Sequence, residues 1–186
     1  ATRYGTVLHE AAELYIKEGK PLPPEFAFIK DTLDALNVKP GRKLCEHKMG
    51  LTVDLQPCEF LGKDVWLRGI ADLLIVDDEN LTCWVVDYKT GKNAKYADVG
   101  QLQLMALSVF KHFPQVKRVK GGLLFVVAND FVKNEYDAEQ TDVYWQRWLT
   151  NTAQLEKAFE VNVWNPRPNF TCKNWCPVKD CTHNGR

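Results

Sequence analysis

The stretch CWVVDYKTGK, residues 83–92, is apolar for its first four positions and then places an aspartate and a lysine two residues apart. Such an apolar run bounded by turn residues is typical of a buried β-strand. Because side chains two apart on a strand share a face, Asp87 and Lys89 are expected on the same side of the sheet. The stretch therefore predicts a core strand that ends in reactive, charged side chains.

A second β-rich run, DVWLRGIADLLIVDD at 64–78, precedes this strand, and the residues DDEN at 77–80 separate the two as a turn. If the turn closes an antiparallel hairpin symmetrically, Asp72 faces Val85 and Asp87 lies diagonally across from Asp72. The lysine two positions further on shares their face. Two carboxylates and one lysine are therefore expected to converge at one end of an apolar hairpin.

Two carboxylates on one partly buried face repel each other and lose hydration, and a divalent cation removes this conflict. Oxygen ligands with open positions suit Mg²⁺ or Mn²⁺, which retain water molecules and bind phosphate. A lysine beside such an ion can orient or deprotonate water, or stabilise charge on a phosphoryl group. The alternative is that Asp87 and Lys89 form an exposed ion pair at the end of a strand.

The composition favours one globular domain over residues 1–186, with a Cys-rich C-terminal tail at 165–186. Of the 186 residues, 45% are hydrophobic, which is enough for one sizeable core. Lys plus Arg equals Asp plus Glu at 24 each, so a globally basic nucleic-acid-binding surface is excluded. No apolar run approaches the length of a membrane span, and the first residues lack a secretory pattern. A cytoplasmic location is expected.

Periodicity predicts alternating helices and strands, and hence an α/β domain with a central mixed sheet flanked by helices. Helices are expected over 1–20, 23–37, 95–113 and 139–162, and strands over 43–56, 64–78, 81–90, 119–129 and 130–137. The last helix carries an apolar stripe that is expected to be buried. Its residues are Trp145, Trp148, Leu149, Thr152, Leu155 and Phe159.

Four short motifs occur in a characteristic order: GTVLHE at 5–10, GIADLLI at 69–75, VVDYKTGK at 85–92 and QLQLMAL at 101–107. In this order and spacing the chain resembles the RecB-type branch of the PD-(D/E)xK nuclease superfamily, and in particular phage-encoded or CRISPR-associated exonucleases. The resemblance implies a restriction-endonuclease-like core and a metal-dependent deoxyribonuclease. The implied role is exonucleolytic hydrolysis of DNA ends in phage or bacterial recombination, repair or degradation.

The resemblance also implies a role for each residue of the proposed site. His9 matches a helix histidine that joins the metal site, and Asp72 and Asp87 match the paired metal-binding acids. The backbone carbonyl of Tyr88 matches a further metal ligand, and Lys89 matches the catalytic lysine. The cofactor implied is Mg²⁺ or Mn²⁺.

Further residues are implied to contact the substrate or to extend the acidic group. Gln101 matches the glutamine of a Q-x-x-x-Y motif that orients substrate, although Met105 occupies the tyrosine position. Lys92 and Lys95 follow the catalytic strand and are candidate DNA contacts, the alternative being a solvated face. Glu46 is either the additional upstream acid of some members or a solvated strand glutamate.

The tail FTCKNWCPVKDCTHNGR presents Cys172, Cys176, Cys181 and His183. Related nucleases hold an iron-sulfur cluster with three C-terminal cysteines and one cysteine upstream of the histidine helix. Because this sequence has no cysteine before Cys45, no such cluster is expected in the chain. Two alternatives remain. One is a structural zinc site with His183 as fourth ligand, and the other is a metal-free tail with free thiols, held by Trp164, Phe170 and Trp175 packing on the domain.

A second functional class competes with the enzyme, namely a catalytically silent nuclease-fold subunit that binds DNA ends or a recombination partner. The neutral overall charge supports it, whereas the intact set of Asp72, Asp87 and Lys89 argues against it. DNA is the expected partner in both cases, together with a single-strand annealing or recombination protein. No membrane partner is expected, and the sequence leaves the oligomeric state open.

Overall fold

The computed structural model of the chain describes residues 3–95 and 97–185. Six strands form one sheet in the order β2-β1-β3-β4-β5-β6. All neighbouring strands are antiparallel except β4 and β5, which are parallel. The strands are β1 (Arg42–Leu51), β2 (Pro57–Cys58), β3 (Leu67–Asp77), β4 (Thr82–Lys89), β5 (Arg118–Phe125) and β6 (Asp130–Asp137). The predicted mixed sheet of an α/β domain is confirmed.

Helices precede, interrupt and follow the strands along the chain. They are α1 (Arg3–Glu18), α2 (Lys30–Asn37), α3 (Val99–His112), α4 (Thr141–Val161) and α5 (Thr171–Asn174), with short 3₁₀ helices at Pro24–Ile29 and Ala138–Gln140. The chain forms two compact units, Ala1–Trp145 and Gln146–Arg186. Across the part of the chain that the structure describes, no helix combines the length and apolarity needed to cross a bilayer.

The sheet in the larger unit has a hydrophobic core on each face. On one face, called here the α3 face, α3 packs against Leu74, Val76 and Val85. On the other, the α1 face, α1 and α2 pack against Leu73 and Val86, among others. The strict alternation of side chains along β4 therefore assigns its odd-numbered residues to the α3 face and its even-numbered residues to the α1 face.

The β3–β4 hairpin differs from the symmetric closure expected from the sequence. Asp77 pairs with Thr82, so the connecting residues are 78–81 and the register moves by two positions. The cause is the turn itself, in which Leu81 adopts a left-handed φ of 53°. The last pair is Leu73 with Val86, so the next position in the same register has Asp72 opposite Asp87. The expected diagonal placement was wrong, because the register puts the two acids opposite each other.

Strands β3 and β4 separate where these two acids lie. Their pairing ends at Leu73 and Val86. Beyond that point β3 stays paired with β1 and β4 stays paired with β5. The sheet therefore opens into a fork, defined here as the gap between β3 and β4 beyond Asp72 and Asp87. Because the fork breaks the sheet, side chains from both faces can reach the same space.

Strand β1 changes its side-chain phase at Glu46. Leu44 packs toward the α3 face and Cys45 toward the α1 face, as regular alternation requires. Met49 then lies in the core of the α3 face, where alternation from Cys45 would place it on the other face. Glu46 accounts for the change because its φ is 47°, a left-handed conformation that costs about 1–2 kcal/mol for a residue with a Cβ.

The predicted buried stripe on the last helix was wrong. Trp145 is buried, but Leu155 and Phe159 are 52% and 69% exposed. Residues from Gln146 onward belong to the smaller unit, which is too short to enclose a stripe of large side chains. The expected packing of the tail aromatics is also not seen for Trp175, whose side chain is 78% exposed.

The hairpin turn generates a test of stability. Asp77 is 2% exposed and accepts hydrogen bonds from the backbone N–H and the side-chain amide of Asn80, at 3.0 and 2.7 Å. These bonds hold the pKa of Asp77 below its usual value. The stabilisation is therefore present above the unfolded-state pKa and is lost as pH falls through the lower folded-state pKa.

We expect Asp77→Ala to lower the midpoint of thermal unfolding by about 3–6 °C at neutral pH, since two hydrogen bonds to a buried acceptor are lost. The difference from the parent should be constant above about pH 5 and shrink as pH falls through the lowered folded-state pKa of Asp77. Glu79→Ala alters an exposed carboxylate of the same turn and serves as the control. A difference that stays constant with pH would contradict this account.

Candidate metal centre and catalytic site

The fork gathers polar side chains from both faces of the sheet. His9 reaches it from α1, and Gln101 reaches it from α3 on the opposite face. Asp72 on β3, with Asp87 and Lys89 on β4, lies between them. The residues implied by the sequence motifs therefore come together in space, although they are drawn from four separate elements.

His9 is held by two acceptors at the fork. Its Nε2 lies 2.9 Å from the carbonyl oxygen of Tyr88, and its Nδ1 lies 3.4 Å from Oδ1 of Asp72. The hydrogen-bonding interaction with Asp72 raises the pKa of His9 against the opposing effect of burial. Both ring nitrogens therefore face acceptors, and the imidazolium form supplies positive charge beside the acids.

Asp72 connects the two separated strands through its side chain. Its Oδ2 accepts a hydrogen bond of 2.7 Å from the backbone N–H of Tyr88. The ladder between β3 and β4 has already ended at this level, so the carboxylate takes over an N–H group that would otherwise lose its partner. The other oxygen of Asp72 is left facing His9.

Glu46 joins His9 and Asp72 in a compact group. One ligand atom from each of the three lies within 4.8 Å of the others. The register places Glu46 opposite Asp72, between the Cys45–Leu73 and His47–Ala71 pairs. Burial, followed by the charge of Asp72, raises the pKa of Glu46. Asp87 is not a member of this three-residue group.

Asp87, Lys89 and Gln101 form a second, adjoining group. The side-chain amide of Gln101 donates to Oδ1 of Asp87 at 2.5 Å, and its carbonyl oxygen accepts from Lys89 Nζ at 3.1 Å. Lys89 Nζ also lies 2.6 Å from Oδ2 of Asp87. Gln101 thus holds the acid and the lysine at the same time, because an amide offers both a donor and an acceptor.

One oxygen of the Asp87 carboxylate lacks a well-aligned hydrogen-bond donor. Its Oδ2 is buried, and no described residue donates to it with hydrogen-bond geometry, even though Lys89 forms a close ion pair. Burial, followed by the charge of Asp72, raises the pKa of Asp87. The pKa values of Glu46 and Asp87 are both raised, and the ammonium beside the buried Asp87 oxygen is poorly aligned for a hydrogen bond. These features fit a site that a divalent cation completes.

The donor set suits a hard divalent cation. Carboxylate oxygens predominate over a single imidazole nitrogen, which favours Mg²⁺ or Mn²⁺ over metals that prefer thiolate ligands. Asp72, Glu46 and His9 would hold the cation, with Asp87 beside it, and His9 would have to lose a proton to do so. The carbonyl of Tyr88, which the motifs implied as a ligand, is engaged by His9.

A cleft of about 660 Å³ opens above this centre. Its lining includes Glu10 and Glu13 of α1, together with Lys89 and Thr90 at the end of β4. Sequence reasoning did not assign these two glutamates. A signal was present for Glu13, which lies four residues after His9 and therefore on the same helical face.

The remaining residues that the sequence linked to substrate binding are Lys92, Lys95 and the residue at the tyrosine position of the glutamine motif. Lys92 and Lys95 are exposed on the segment that follows β4. Met105, at the tyrosine position of the glutamine motif, packs against Gly69 instead, with its Sδ and Cε 3.1 Å from where a Cβ of residue 69 would lie. Met105 therefore serves packing, and Gly69 makes room for it.

The cysteines of the tail are half-buried within the smaller unit. Local backbone hydrogen bonds fold the tail on itself, and one joins the N–H of Gly185 to the carbonyl of Cys172 at 2.9 Å. Within residues 3–95 and 97–185, three ligand atoms of Cys172, Cys176, Cys181 and His183 do not come within 4.8 Å of one another. Zinc binding by the tail stays a prediction.

Comparison with known proteins identifies the family. A sequence model described as the PD-(D/E)XK nuclease superfamily matches residues 1–181. The chain therefore belongs to the PD-(D/E)XK nuclease superfamily, and this membership implies metal-dependent nuclease activity. The resemblance inferred from the motifs is confirmed at the level of the superfamily.

Other comparisons add little. No curated protein matches the chain. A solved structure described as "Crystal structure of SSO0001" is 13% identical, with 96% of this chain and 98% of that chain covered and a TM-score of 0.39. A similarity at that level supports no conclusion about the fold or the activity.

Repulsion among the acids generates a second test, in which Glu46→Gln removes one charge and keeps the side-chain shape. A carboxyl group with a raised folded-state pKa destabilises the fold when ionised, so the variant should unfold about 1–2 °C higher in EDTA. The gain is small because solvent screens the half-exposed group. Saturating Mn²⁺ should stabilise the variant less than the parent, because a ligand is lost.

Glu59→Gln, which changes an exposed carboxylate outside the group, is the matched control for both measurements. Equal Mn²⁺ stabilisation of the parent and the Glu46→Gln protein would remove Glu46 from the metal centre. A lower midpoint of the variant in EDTA would show that the carboxylate is stabilising and that the acids do not repel.

Proposed function

We propose that the chain is a Mg²⁺- or Mn²⁺-dependent DNA exonuclease that hydrolyses phosphodiesters from DNA ends during phage or bacterial recombination, repair or degradation. The observation that carries the proposal is the convergence at the fork of Asp72, Asp87 and Lys89 with His9 and Gln101. Superfamily membership supports the chemistry. The resemblance of the four motifs to the RecB-type branch supports the action at ends.

The proposed chemistry divides the work between a cation and the side chains of the fork. A divalent cation bound by the acids supplies Lewis acidity at the scissile phosphate and makes water a better nucleophile. Lys89 is one-third exposed toward the cleft while its ammonium is fixed by Asp87 and Gln101. It can therefore donate to the attacking water or to the developing negative charge without first being ordered.

The proposed substrate path follows the charge distribution around the cleft. One wall is acidic, with Glu10 and Glu13, and the other side leads to Lys92 and Lys95. A phosphate backbone is expected to run along the lysine side, since the glutamates repel it. A recombination or single-strand annealing protein is the proposed partner, and the cytoplasm is the proposed compartment.

The role of Lys89 is open to direct measurement. We expect Lys89→Ala to reduce the cleavage rate at least about 10²-fold, because the positioned ammonium is lost, while DNA affinity changes little. Lys63→Ala removes an exposed lysine away from the fork and should cleave like the parent. Parental cleavage rates in the Lys89→Ala protein would refute the assignment.

The mode of attack requires a separate experiment with end-labelled linear DNA and covalently closed circular DNA of the same sequence. We expect Mg²⁺ or Mn²⁺ to support degradation of the linear form alone, and EDTA to abolish it. Cleavage of the closed circle would indicate an endonuclease. Binding of ends without cleavage in either metal would support the catalytically silent subunit instead.

A further inference from the structure

A groove on the α1 face of the sheet lies outside the fork. It encloses about 240 Å³ over strands β4, β5 and β6, next to the end of α2. We call it the lysine-aromatic groove. The residues that define it are Trp84, Phe131, Lys39, Lys120, Lys133 and Glu135.

The strand register relates this groove to the proposed active site. Leu124 of β5 pairs with Tyr88 on one side and with Phe131 on the other, so these three residues form one row across the sheet. Two inter-strand spacings separate the ends of the row, which corresponds to about 10 Å. Phe131 therefore lies near the Tyr88 carbonyl that His9 contacts.

The aromatic side chains of the groove are accessible. Phe131 is 40% exposed, and Trp84 is half-buried. The Phe131 ring lies against Gly122, where a Cβ would come within 2.1 Å of it. Glycine at this position of the strand therefore leaves the space in which the ring rests on the sheet.

Three lysines surround these rings. The ammonium groups of Lys39 and Lys120 lie 5.2 and 5.6 Å from the ring centre of Trp84, and that of Lys133 lies 4.9 Å from Phe131. Glu135 is the carboxylate among the lining residues, so the lysines leave an excess of positive charge. This excess is local, because the chain as a whole has no net charge.

We propose that the lysine-aromatic groove binds single-stranded DNA, with bases stacking on Phe131 and Trp84 and phosphates contacting the lysines. A sheet face that combines exposed aromatic rings with lysines is suited to unpaired nucleotides, because every base offers a face for stacking. Exposed cation–π contacts are weak, so the lysines can leave the rings and bind phosphates. A protein partner fits less well, since lysine is depleted in protein–protein interfaces.

This inference rests on the proposed function, because the groove would hold a strand of the substrate near the fork. Contacts there would lower the KM for long single strands without changing the chemistry at one phosphodiester. Retention near the site would also allow successive cleavages of the same strand.

The test measures binding of a fluorescently labelled oligothymidylate by anisotropy, in EDTA to prevent cleavage and over a series of salt concentrations. Lys120→Gln combined with Lys133→Gln should weaken binding about tenfold and reduce the salt slope by about 1.4, since two phosphate contacts are lost. Phe131→Ala should weaken binding at an unchanged salt slope, because it removes stacking and no charge. The control pairs Lys63→Gln with Lys117→Gln, two exposed lysines outside the groove.

Unchanged affinity in both groove variants would overturn the proposal. The same conclusion follows if the Phe131→Ala protein binds DNA like the parent but loses self-association in sedimentation, since the groove would then join two copies. Loss of affinity in the groove variants, with the control pair binding normally, supports it.

A minimal substrate separates this proposal from the proposed function. Bis(p-nitrophenyl) phosphate is too small to span the groove and the fork, so the groove variants should hydrolyse it with Mn²⁺ at the parental rate. If the parent hydrolyses no phosphodiester, the proposed function fails, while the binding data still decide the groove. If the parent cleaves and the groove variants bind normally, only the groove proposal fails.

Discussion

The hydrogen bond from the backbone N–H of Tyr88 to the carboxylate of Asp72 is the interaction on which the site depends. An N–H group that leaves a sheet ladder must find another acceptor, or it costs the free energy of a lost hydrogen bond. Asp72 supplies that acceptor where β3 and β4 part, and so the fork can exist inside a packed domain. The carbonyl of the same residue, Tyr88, then positions His9. One residue of β4 thus connects the separated strands to helix α1.

The carboxyl groups at the fork repel one another and have lost hydration, and a bound cation would offset both effects. Glu46, Asp72 and Asp87 bring three carboxyl groups to one partly buried place, while Lys89 supplies one positive charge and Asp72 favours protonation of His9. Burial and the charge of Asp72 raise the pKa of both Glu46 and Asp87, so loss of hydration outweighs the positive charge beside these two acids. Glu46 also adopts a left-handed conformation, which is unfavourable for its own backbone. Strain and charge concentrated together at one site are typical of function and not of stability.

The sequence was informative where the period-2 alternation of a strand determines which side chains share a face of the sheet. It predicted the apolar hairpin and the charged end of β4, because these follow from which residues share a face. It failed where geometry depends on a turn or on one unusual φ angle. The register moved by two because residues 78–81 form the connection, and the approach of Glu46 to Asp72 depends on a left-handed residue within β1. The predicted burial of the stripe on α4 was wrong for another reason. An amphipathic pattern shows which face of a helix is apolar, but it does not show whether the surrounding unit is large enough to bury that face.

Strand β4 also shows how one segment can serve two surfaces. Asp87 carries its side chain to the α3 face, where Gln101 fixes it, and Trp84 carries its ring to the α1 face. In an unbroken sheet these surfaces would be separated by a layer of hydrogen-bonded backbone, and chemistry on one face would be isolated from contacts on the other. The fork removes that separation at the end of β4, because His9 on the α1 face reaches Asp72 directly. A site built at a break in the sheet can therefore draw its side chains from both faces, as the fork does with His9 and Gln101.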